Sequence, residues 1–477
     1  MGTMLFPTVD FAIFFVIVFA VAWAIRPYHL WWRVFLVAAS WFFYGFWEPG
    51  FVILLIASTA ANWAIGYDLA RMKDDAGKLR PAGRALLTFG IALNLTTLGY
   101  FKYYGFFAEG INDVFGLVGA SELVPLREIT LPIAISFFTF HAISYLVDIA
   151  RGDIEEPMSP LDFSLYLSFF PHLVAGPIVR VTEFLPQIQT PLTQRIIDAT
   201  PAFQLIVFGL FKKVVISSYL ASEIADPVFA APGQHSAQEI IIGVYAYAIQ
   251  IFADFSGYTD IAIGCALLLG VRFPQNFDQP YRAFSLQDFW RRWHMTLSRW
   301  LRDYLYIPLG GNHGSKLFTY RNLVVTMVLG GLWHGASFTF VFWGAIHGFG
   351  LVIERELKER YPGRLGAAAP VLQWLMTFHV VCLAWIFFRA ETMGTAWEMI
   401  GRMFTAWGGS KAITPLLLLV IAGSVAAQFI PPRFSDRLQI SFSRLAPMAQ
   451  AATLAVALVA IDTLGPEGVS PFIYFQF

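Results

Sequence analysis

Two histidines are the main candidates for chemistry, and one of them lies in a sequence context where an ionisable side chain is costly. His334 falls within the apolar run 324–341, whose eighteen residues include no Asp, Glu, Lys or Arg. His294, forty residues earlier, falls within the charged and aromatic stretch 288–304. Ionisable residues inside apolar segments usually face a cavity and take part in function. Because imidazole gains and loses a proton near neutral pH, this pair indicates proton-transfer chemistry at membrane depth.

The composition indicates a membrane protein without a nucleic-acid or metal partner. Hydrophobic residues make up 57% of the chain, and 32 basic residues balance 32 acidic ones, which excludes a strongly basic nucleic-acid-binding protein. Cys265 and Cys382 each lie in apolar sequence and are predicted to be buried thiols rather than disulfide partners. No group of His, Cys and carboxylate residues has metal-ligand spacing, so no metal and no tightly bound cofactor are expected.

The elements that must position these histidines are predicted to be membrane helices. A spanning helix needs about 20 apolar residues, and on this rule we expect about ten to thirteen spanning or re-entrant helices in an all-α fold. The predicted segments are 6–25, 34–46, 51–67, 85–104, 129–149, 163–179 (broken by Pro171 and Pro177), 202–220, 240–253, 258–271, 323–346, 371–388, 414–429 and 448–461. Basic residues place the loop 68–84 and the stretch 288–304 on the cytoplasmic side.

The stretch 288–304 is predicted to form one amphipathic helix. Its aromatic residues gather on one face at 3.6 residues per turn, and His294 falls at the boundary of that face. Four arginines occupy the opposite side, namely Arg291, Arg292, Arg299 and Arg302. Two interpretations stay open, because guanidinium groups bind lipid phosphates at an interface and equally bind the phosphates of a nucleotide-type ligand.

Small and acidic residues around the apolar segments also have two interpretations. Gly330, Gly331 and Gly335 near His334 would permit close helix packing, or would leave room for a substrate channel. The polar sequence 254–260, with an aspartate at each end, interrupts an apolar stretch. It is either a break between two short helices or a cavity wall whose carboxylates pair with the arginines of 288–304.

The two histidine blocks carry a family resemblance. The sequences FWRRWHMTLSRWLRDYLYIPLGGN and GGLWHGAS resemble signature blocks of the membrane-bound O-acyltransferases (MBOAT), in the bacterial branch that includes the alginate O-acetylation membrane subunit and the teichoic-acid D-alanylation protein. PIAISFFTFHAISYLVDI, FPHLVAGPIVR, FADFSGYTDIAIG and LAWIFFRAE extend the resemblance over residues 4–391. One departure is His313, which follows GGN where this branch would have an arginine. The resemblance implies a single MBOAT-type domain over residues 1–477 with a central tunnel.

The resemblance also implies a reaction and roles for the residues above. It implies His334 as the catalytic histidine, acting as a general base, and His294 as its partner, which orients the donor or stabilises an oxyanion. The expected co-substrate is acetyl-CoA or another acyl thioester on the cytoplasmic side, with its phosphates on the four arginines. The expected acceptor is a surface or exported polysaccharide, or a secreted or periplasmic acetyltransferase partner, and the expected location is the bacterial inner membrane.

Two function classes compete with this interpretation. Intramembrane histidines and aspartates also relay protons in transporters, so the chain would be a proton-coupled transporter or flippase for a cell-envelope precursor. A second alternative is a non-catalytic scaffold for surface-polymer assembly. The first is weakened because the two halves of the chain have no convincing self-similarity.

Overall fold

The computed structural model describes residues 4–117, 119, 123–174, 176–197, 199–361, 369–466 and 472–473. Helices dominate these residues, and the only β-pairing within them is an isolated bridge between Lys73 and Leu79. The predicted all-α fold is therefore confirmed. The chain divides into two compact units, which are Met1–Ala199 with Cys265–Pro274, and Thr200–Gly264 with Gln275–Phe477.

Unit 1 is built from apolar helices. The described helices are α1 (Val9–Ala24), α2 (His29–Gly45), α3 (Pro49–Arg71), α4 (Pro81–Leu98), α5 (Tyr104–Gly116), α6 (Ile135–Arg151), α7 (Pro160–Ser168), α8 (Phe170–Leu173) and α9 (Val181–Gln189). Asn62 on α3 and Asn94 on α4 exchange side-chain hydrogen bonds of 3.1 and 2.6 Å in a buried position. Lipid offers no hydrogen-bonding groups, so this amide pair stabilises the contact between the two helices.

The predicted segment 163–179 is a broken helix, as its prolines Pro171 and Pro177 predict. Its backbone leaves the helical conformation after α8, and non-helical backbone at membrane depth requires partners within the protein. The Val179 N–H donates to His141 Nε2 at 3.2 Å, and the Tyr166 hydroxyl donates to the Val179 carbonyl at 3.0 Å. His172 Nε2 lies 2.8 Å from the Tyr166 carbonyl. His141 and His172 are therefore part of the hydrogen bonding that supports this break.

Unit 2 contains both histidine blocks. Its described helices are α10 (Ala199–Leu210), α11 (Ser218–Leu220), α12 (Asp226–Ala230), α13 (Ala237–Leu268), α14 (Leu286–Arg292), α15 (Met295–Leu301), α16 (Lys316–His334), α17 (Phe338–Arg360), α18 (Ala369–Arg389), α19 (Met393–Thr405), α20 (Pro415–Ala427), α21 (Pro432–Ser443) and α22 (Pro447–Leu464). Two π-helical turns join α10, α11 and α12 into one helix of 32 residues, Ala199–Ala230.

Five helices within the described residues are long and apolar enough to cross a membrane. They are Pro49–Arg71, Ala199–Ala230, Ala237–Leu268, Pro370–Arg389 and Pro447–Leu464. Two shorter apolar helices, Val9–Ala24 and Pro415–Ala427, accompany them. Each of these helices overlaps a predicted segment, which confirms a polytopic membrane protein.

The predicted break at 254–260 is wrong, because α13 runs through it without interruption. Asp254 forms a buried ion pair with Lys213, and Asp260 pairs with Lys212 at 2.5 Å. Both lysines belong to the preceding long helix, so the carboxylates are neutralised across a helix–helix contact. Because each carboxylate is paired, its charge does not have to be exposed at a helix end. The partners are these lysines and not the arginines of 288–304.

The predicted segment 323–346 is a helical hairpin rather than one span. Helix α16 ends at His334, and α17 begins at Phe338 and runs antiparallel to it. The two helices approach so closely that a Cβ atom on Gly344 would overlap the carbonyl oxygen of Met327. A Cβ atom on Gly331 would overlap the Phe340 carbonyl in the same way. These glycines explain why the histidine at the end of α16 lies directly against α17.

Candidate active site

His294 lies at a turn between two short helices, so the predicted continuous helix over 288–304 is wrong. Helix α14 ends at Arg292, and His294 adopts the left-handed conformation with φ 41° and ψ 54° before α15 begins. Asn276 stabilises this turn from outside, since its carbonyl accepts the Met295 N–H at 2.9 Å and its Oδ1 accepts the Thr296 N–H at 3.2 Å. The hydrogen bonds to Asn276 thus override the helical periodicity of the sequence.

The His294 ring is fully buried, and its protonation pattern follows from its contacts. Nδ1 accepts the Leu297 N–H at 3.2 Å, which caps α15. A nitrogen that accepts an N–H carries no proton, so a neutral ring holds its proton on Nε2. Nε2 is buried and has no hydrogen-bond partner among the described residues. His294 therefore presents an N–H donor to whatever lies beside it.

His334 ends α16 inside a cluster of aromatic rings. It is 4% exposed, and its ring centroid lies 4.9 Å from Trp333, 5.1 Å from Trp343 and 5.2 Å from Phe388. Trp333 also lies 6.2 Å from the His294 ring. The structure thus brings the two predicted histidines together in one buried cluster, with the indole of Trp333 in contact with both.

Helix α17 adds two N–H donors to this cluster. Trp343 and His347 are one helical turn apart on the same face, with ring centroids separated by 5.0 Å. His347 Nδ1 accepts the Trp290 indole N–H at 3.3 Å, so its own proton lies on Nε2. The Trp343 Nε1 and the His347 Nε2 are both buried without a hydrogen-bond partner in the described part of the chain. Buried donors left in this way usually await a ligand or a water molecule.

The guanidinium group of Arg292 is held by two carboxylates of the protein. Its guanidinium pairs with Asp278 at 2.9 Å and with Asp288 at 2.9 Å, and it donates a further hydrogen bond to the Asp278 carbonyl. These contacts link the chain before α14 to the end of that helix. A phosphate would have to compete with two carboxylates for this side chain.

The other three predicted arginines differ in their surroundings. Arg302 pairs with Asp303 at 2.6 Å and is 59% exposed, whereas Arg299 is half-buried in the last turn of α15. Arg291 is exposed and makes no ion pair with any described residue. Their predicted contact with donor phosphates stays a prediction.

A polar cavity of about 460 Å³ lies beside the N-terminal part of α16 and the C-terminal part of α17. Its lining consists of Gln287, Tyr306, Asn312, Leu323, Leu351, Glu354, Arg355, Lys358 and Glu359. Lys358 pairs with Glu354 at 2.5 Å, and Arg355 pairs with Glu359 at 3.1 Å. The cations of this lining are thus balanced by carboxylates. Beside it, hydrogen bonding to Glu359 and the charge of Glu356 raise the pKa of Lys316.

Comparison with known proteins identifies the family of the chain that contains this cluster. The sequence profile of the membrane-bound O-acyltransferase family matches residues 128–389, more than half of the chain. The chain belongs to this family. Both histidines, Trp343 and His347 lie within the matched residues.

Several curated proteins of this kind are similar over most of the chain. The probable alginate O-acetylase of Pseudomonas aeruginosa is 39% identical over 91% of this chain and 82% of its own length. The peptidoglycan O-acetyltransferase of Helicobacter pylori is 38% identical, over 78% of this chain and 73% of its own length. The teichoic acid D-alanyltransferase of Streptococcus thermophilus is 30% identical over 54% of this chain and 68% of its own length. The protein is thus a multi-pass membrane O-acyltransferase, and the transporter and scaffold alternatives give way to an enzyme.

Sequence reasoning missed the two donors on α17. Trp343 stands in an apolar run, where a tryptophan is ordinarily a packing residue, and a single histidine such as His347 in the same run is ordinarily a buried residue with its hydrogen bonds satisfied. Their spacing of four residues, immediately after the His334 block, is the signal that places both on one helical face.

Proposed function

We propose that this O-acyltransferase moves an acetyl group from acetyl-CoA on the cytoplasmic side to a hydroxyl group of a surface or exported polysaccharide. Two of its relatives are named for the O-acetylation of alginate and of peptidoglycan, which are both polysaccharide-based polymers of bacteria. The proposed location is accordingly the bacterial inner membrane. A secreted or periplasmic acetyltransferase partner would receive the acetyl group where the polymer itself does not reach the membrane enzyme.

The single observation that carries this proposal is the position of His334 at a helix end, within a buried cluster that contains unused N–H donors. In the proposed reaction His334 accepts the proton of the acceptor hydroxyl, and the resulting oxygen nucleophile attacks the thioester carbonyl carbon. The carbon–sulfur bond then breaks, and the protonated His334 returns the proton to the departing thiolate. The products are the acetyl ester and the free thiol.

His294 has a different proposed role from His334, because its Nδ1 is occupied by the Leu297 N–H. A ring whose free nitrogen carries the proton cannot remove a proton from the acceptor. It can donate a hydrogen bond to the thioester carbonyl and stabilise the negative charge that develops there. We therefore assign His294 to orienting the donor and stabilising the oxyanion.

The phosphates of the donor are proposed to bind the predicted arginines, and Arg291 is the main candidate among them. Arg291 is exposed and outside any ion pair of the described residues, and Arg299 and Arg302 follow on α15 and the turn after it. Arg292 contributes less to this binding, because Asp278 and Asp288 already hold its guanidinium. Guanidinium groups bind phosphate through paired hydrogen bonds, which suits a nucleotide-bearing thioester.

Replacement of His334 tests the proposed base. The purified protein is supplied with isotope-labelled acetyl-CoA and an acceptor, and His334→Ala is compared with His379→Ala. His379 is exposed and lies outside the cluster, with its ring hydrogen-bonded to Tyr245 at 2.9 Å. We expect His334→Ala to lose transfer by about 10²–10⁴-fold and His379→Ala to keep it, since general-base catalysis contributes that range.

Two further results would contradict the proposal. Transfer at the normal rate by correctly folded His334→Ala protein would exclude the base role. Mass spectrometry of the host's surface polymer, with and without the gene, tests the acceptor, and an unchanged acetyl content would exclude an O-acetylated polysaccharide as the product.

A further inference from the structure

Trp343 carries a buried hydrogen-bond donor that the reaction described above does not use. Its side chain is 1% exposed, and its Nε1 has no hydrogen-bond partner among the described residues. A buried polar group without a partner costs about 1–3 kcal/mol, so such groups are rare unless a ligand completes them. The position of Trp343 indicates which ligand this would be, because its ring lies 5.1 Å from the ring of His334.

A donor beside the base has a specific use in acyl transfer. When the acceptor oxygen attacks the thioester carbonyl, negative charge collects on the carbonyl oxygen, and N–H groups fixed in a dry site stabilise this charge. The base and the oxyanion donors must flank the same carbon atom. The side chain that carries an oxyanion donor is therefore expected to contact the side chain of His334. Trp343 and Trp333 both meet this condition, and the Nε1 of Trp343 is buried without a hydrogen-bond partner in the described part of the chain.

We infer that the indole N–H of Trp343 is an oxyanion donor of the acyl-transfer reaction, acting together with the Nε2–H of His294. This inference rests on the proposed function, in which His334 is the base. The two donors come from different elements. Trp343 on α17 contacts His334, whereas His294 before α15 contacts Trp333, whose ring in turn contacts His334. Two donors from separate elements fix the carbonyl oxygen in position as well as stabilising its charge.

His347 is a weaker candidate for the same task. Its Nε2–H is also buried without a partner among the described residues, and it lies on the same face of α17. Its ring, however, contacts Trp343 at 5.0 Å and lies one helical turn further from the end of α16. Of the two donors, Trp343 is therefore the one whose ring contacts the proposed base.

The competing explanation for Trp343 is packing alone. Its ring meets Trp385 in a stacked arrangement at 5.9 Å and meets the edge of Phe388 at 5.2 Å. An indole N–H that pointed at an aromatic face would make only a weak hydrogen bond. In that case removal of the N–H would alter stability slightly and leave the chemical step unchanged.

Trp343→Phe separates these explanations, because it keeps an aromatic ring and removes the N–H. We expect kcat for acetyl transfer to fall by about 10²–10³-fold, the loss measured for single oxyanion donors, with KM for acetyl-CoA changed less than about twofold. Hydrolysis of the thioester in the absence of acceptor should fall by the same factor, since it passes through the same oxyanion. Trp374→Phe is the matched control, because its N–H donates to the Tyr281 carbonyl at 2.8 Å outside the site.

A second variant covers a folding defect in the first. Replacement of Trp343 by 3-benzothienylalanine keeps the bicyclic shape and exchanges the N–H for sulfur, so it perturbs packing less than phenylalanine. A kcat reduced less than about tenfold in this folded variant would overturn the inference, as would a loss confined to KM. An active His334→Ala protein would instead overturn the proposed function, so the two failures are distinguishable.

Discussion

Breaking the buried ion pair between Lys213 and Asp254 should destabilise unit 2 strongly. The two side chains are 1% and 2% exposed, so neither charge has access to solvent. Lys213→Met would leave the Asp254 carboxylate with the Ile473 N–H, at 2.8 Å, as a remaining donor. Loss of one member of a buried ion pair costs about 3–5 kcal/mol, because the other charge stays desolvated.

Because the Ile473 N–H still donates to the Asp254 carboxylate, we expect the loss in free energy of unfolding to lie near the lower end of that range. A loss of about 3 kcal/mol corresponds to about a hundredfold change in the ratio of folded to unfolded protein. Function should fall as well, because Asp254 precedes Phe255, whose ring lies 4.7 Å from His294. A shift of α13 at this point would move the surface against which His294 packs.

Unfolding in mixed micelles with a rising fraction of SDS measures this loss, with acetyl transfer recorded on the same samples. The matched comparison is the double variant Lys213→Met with Asp254→Asn, which removes both charges and keeps an acceptor for the Ile473 N–H. We expect the double variant to recover to within about 1 kcal/mol of the unmodified protein. A single variant as stable as the unmodified protein, or a double variant worse than the single one, would refute this electrostatic reasoning.

Three further predictions concern other parts of the protein. Arg291→Leu should raise KM for acetyl-CoA and leave the melting temperature unchanged, whereas Arg292→Leu should lower the melting temperature through its lost ion pairs; equal KM effects in both would contradict the assignment. Gly344→Ala should lower the free energy of unfolding by about 1–3 kcal/mol and reduce acetyl transfer, because an added methyl group forces α16 and α17 apart. Normal activity of this variant would contradict the close packing of the two helices. Cys265 and Cys382 should resist maleimide until the protein unfolds, since both are 2% exposed, as mass spectrometry can check.

The general architecture was predictable because membrane helices are long and apolar. Length and hydropathy located the spans over 51–67, 371–388 and 448–461, each within a helix of the structure. Paired charges were not predictable in the same way. The aspartates of 254–260 suggested a helix end, and their partners Lys212 and Lys213 lie more than forty residues away in sequence.

The candidate site was predictable in its residues and less so in its geometry. His294 and His334 were identified from sequence, and both lie in the same aromatic cluster. The turn at His294 depends on Asn276, a residue in an irregular segment that no helical periodicity connects to it. The spacing of Trp343 and His347 places them on one helical face, but it does not show that the Trp343 indole N–H lacks a partner among the described residues, which is a property of the packed protein.

The left-handed backbone at His294 limits which residues this position can accept. For most side chains that conformation costs about 1–2 kcal/mol, while asparagine tolerates it because its short amide can bond locally. Asparagine would also supply a side-chain oxygen to cap α15 and an amide N–H in place of the imidazole one. Among substitutions of His294, asparagine should therefore be the one that keeps activity. β-branched residues should not keep it, even though several of them are closer to histidine in side-chain volume.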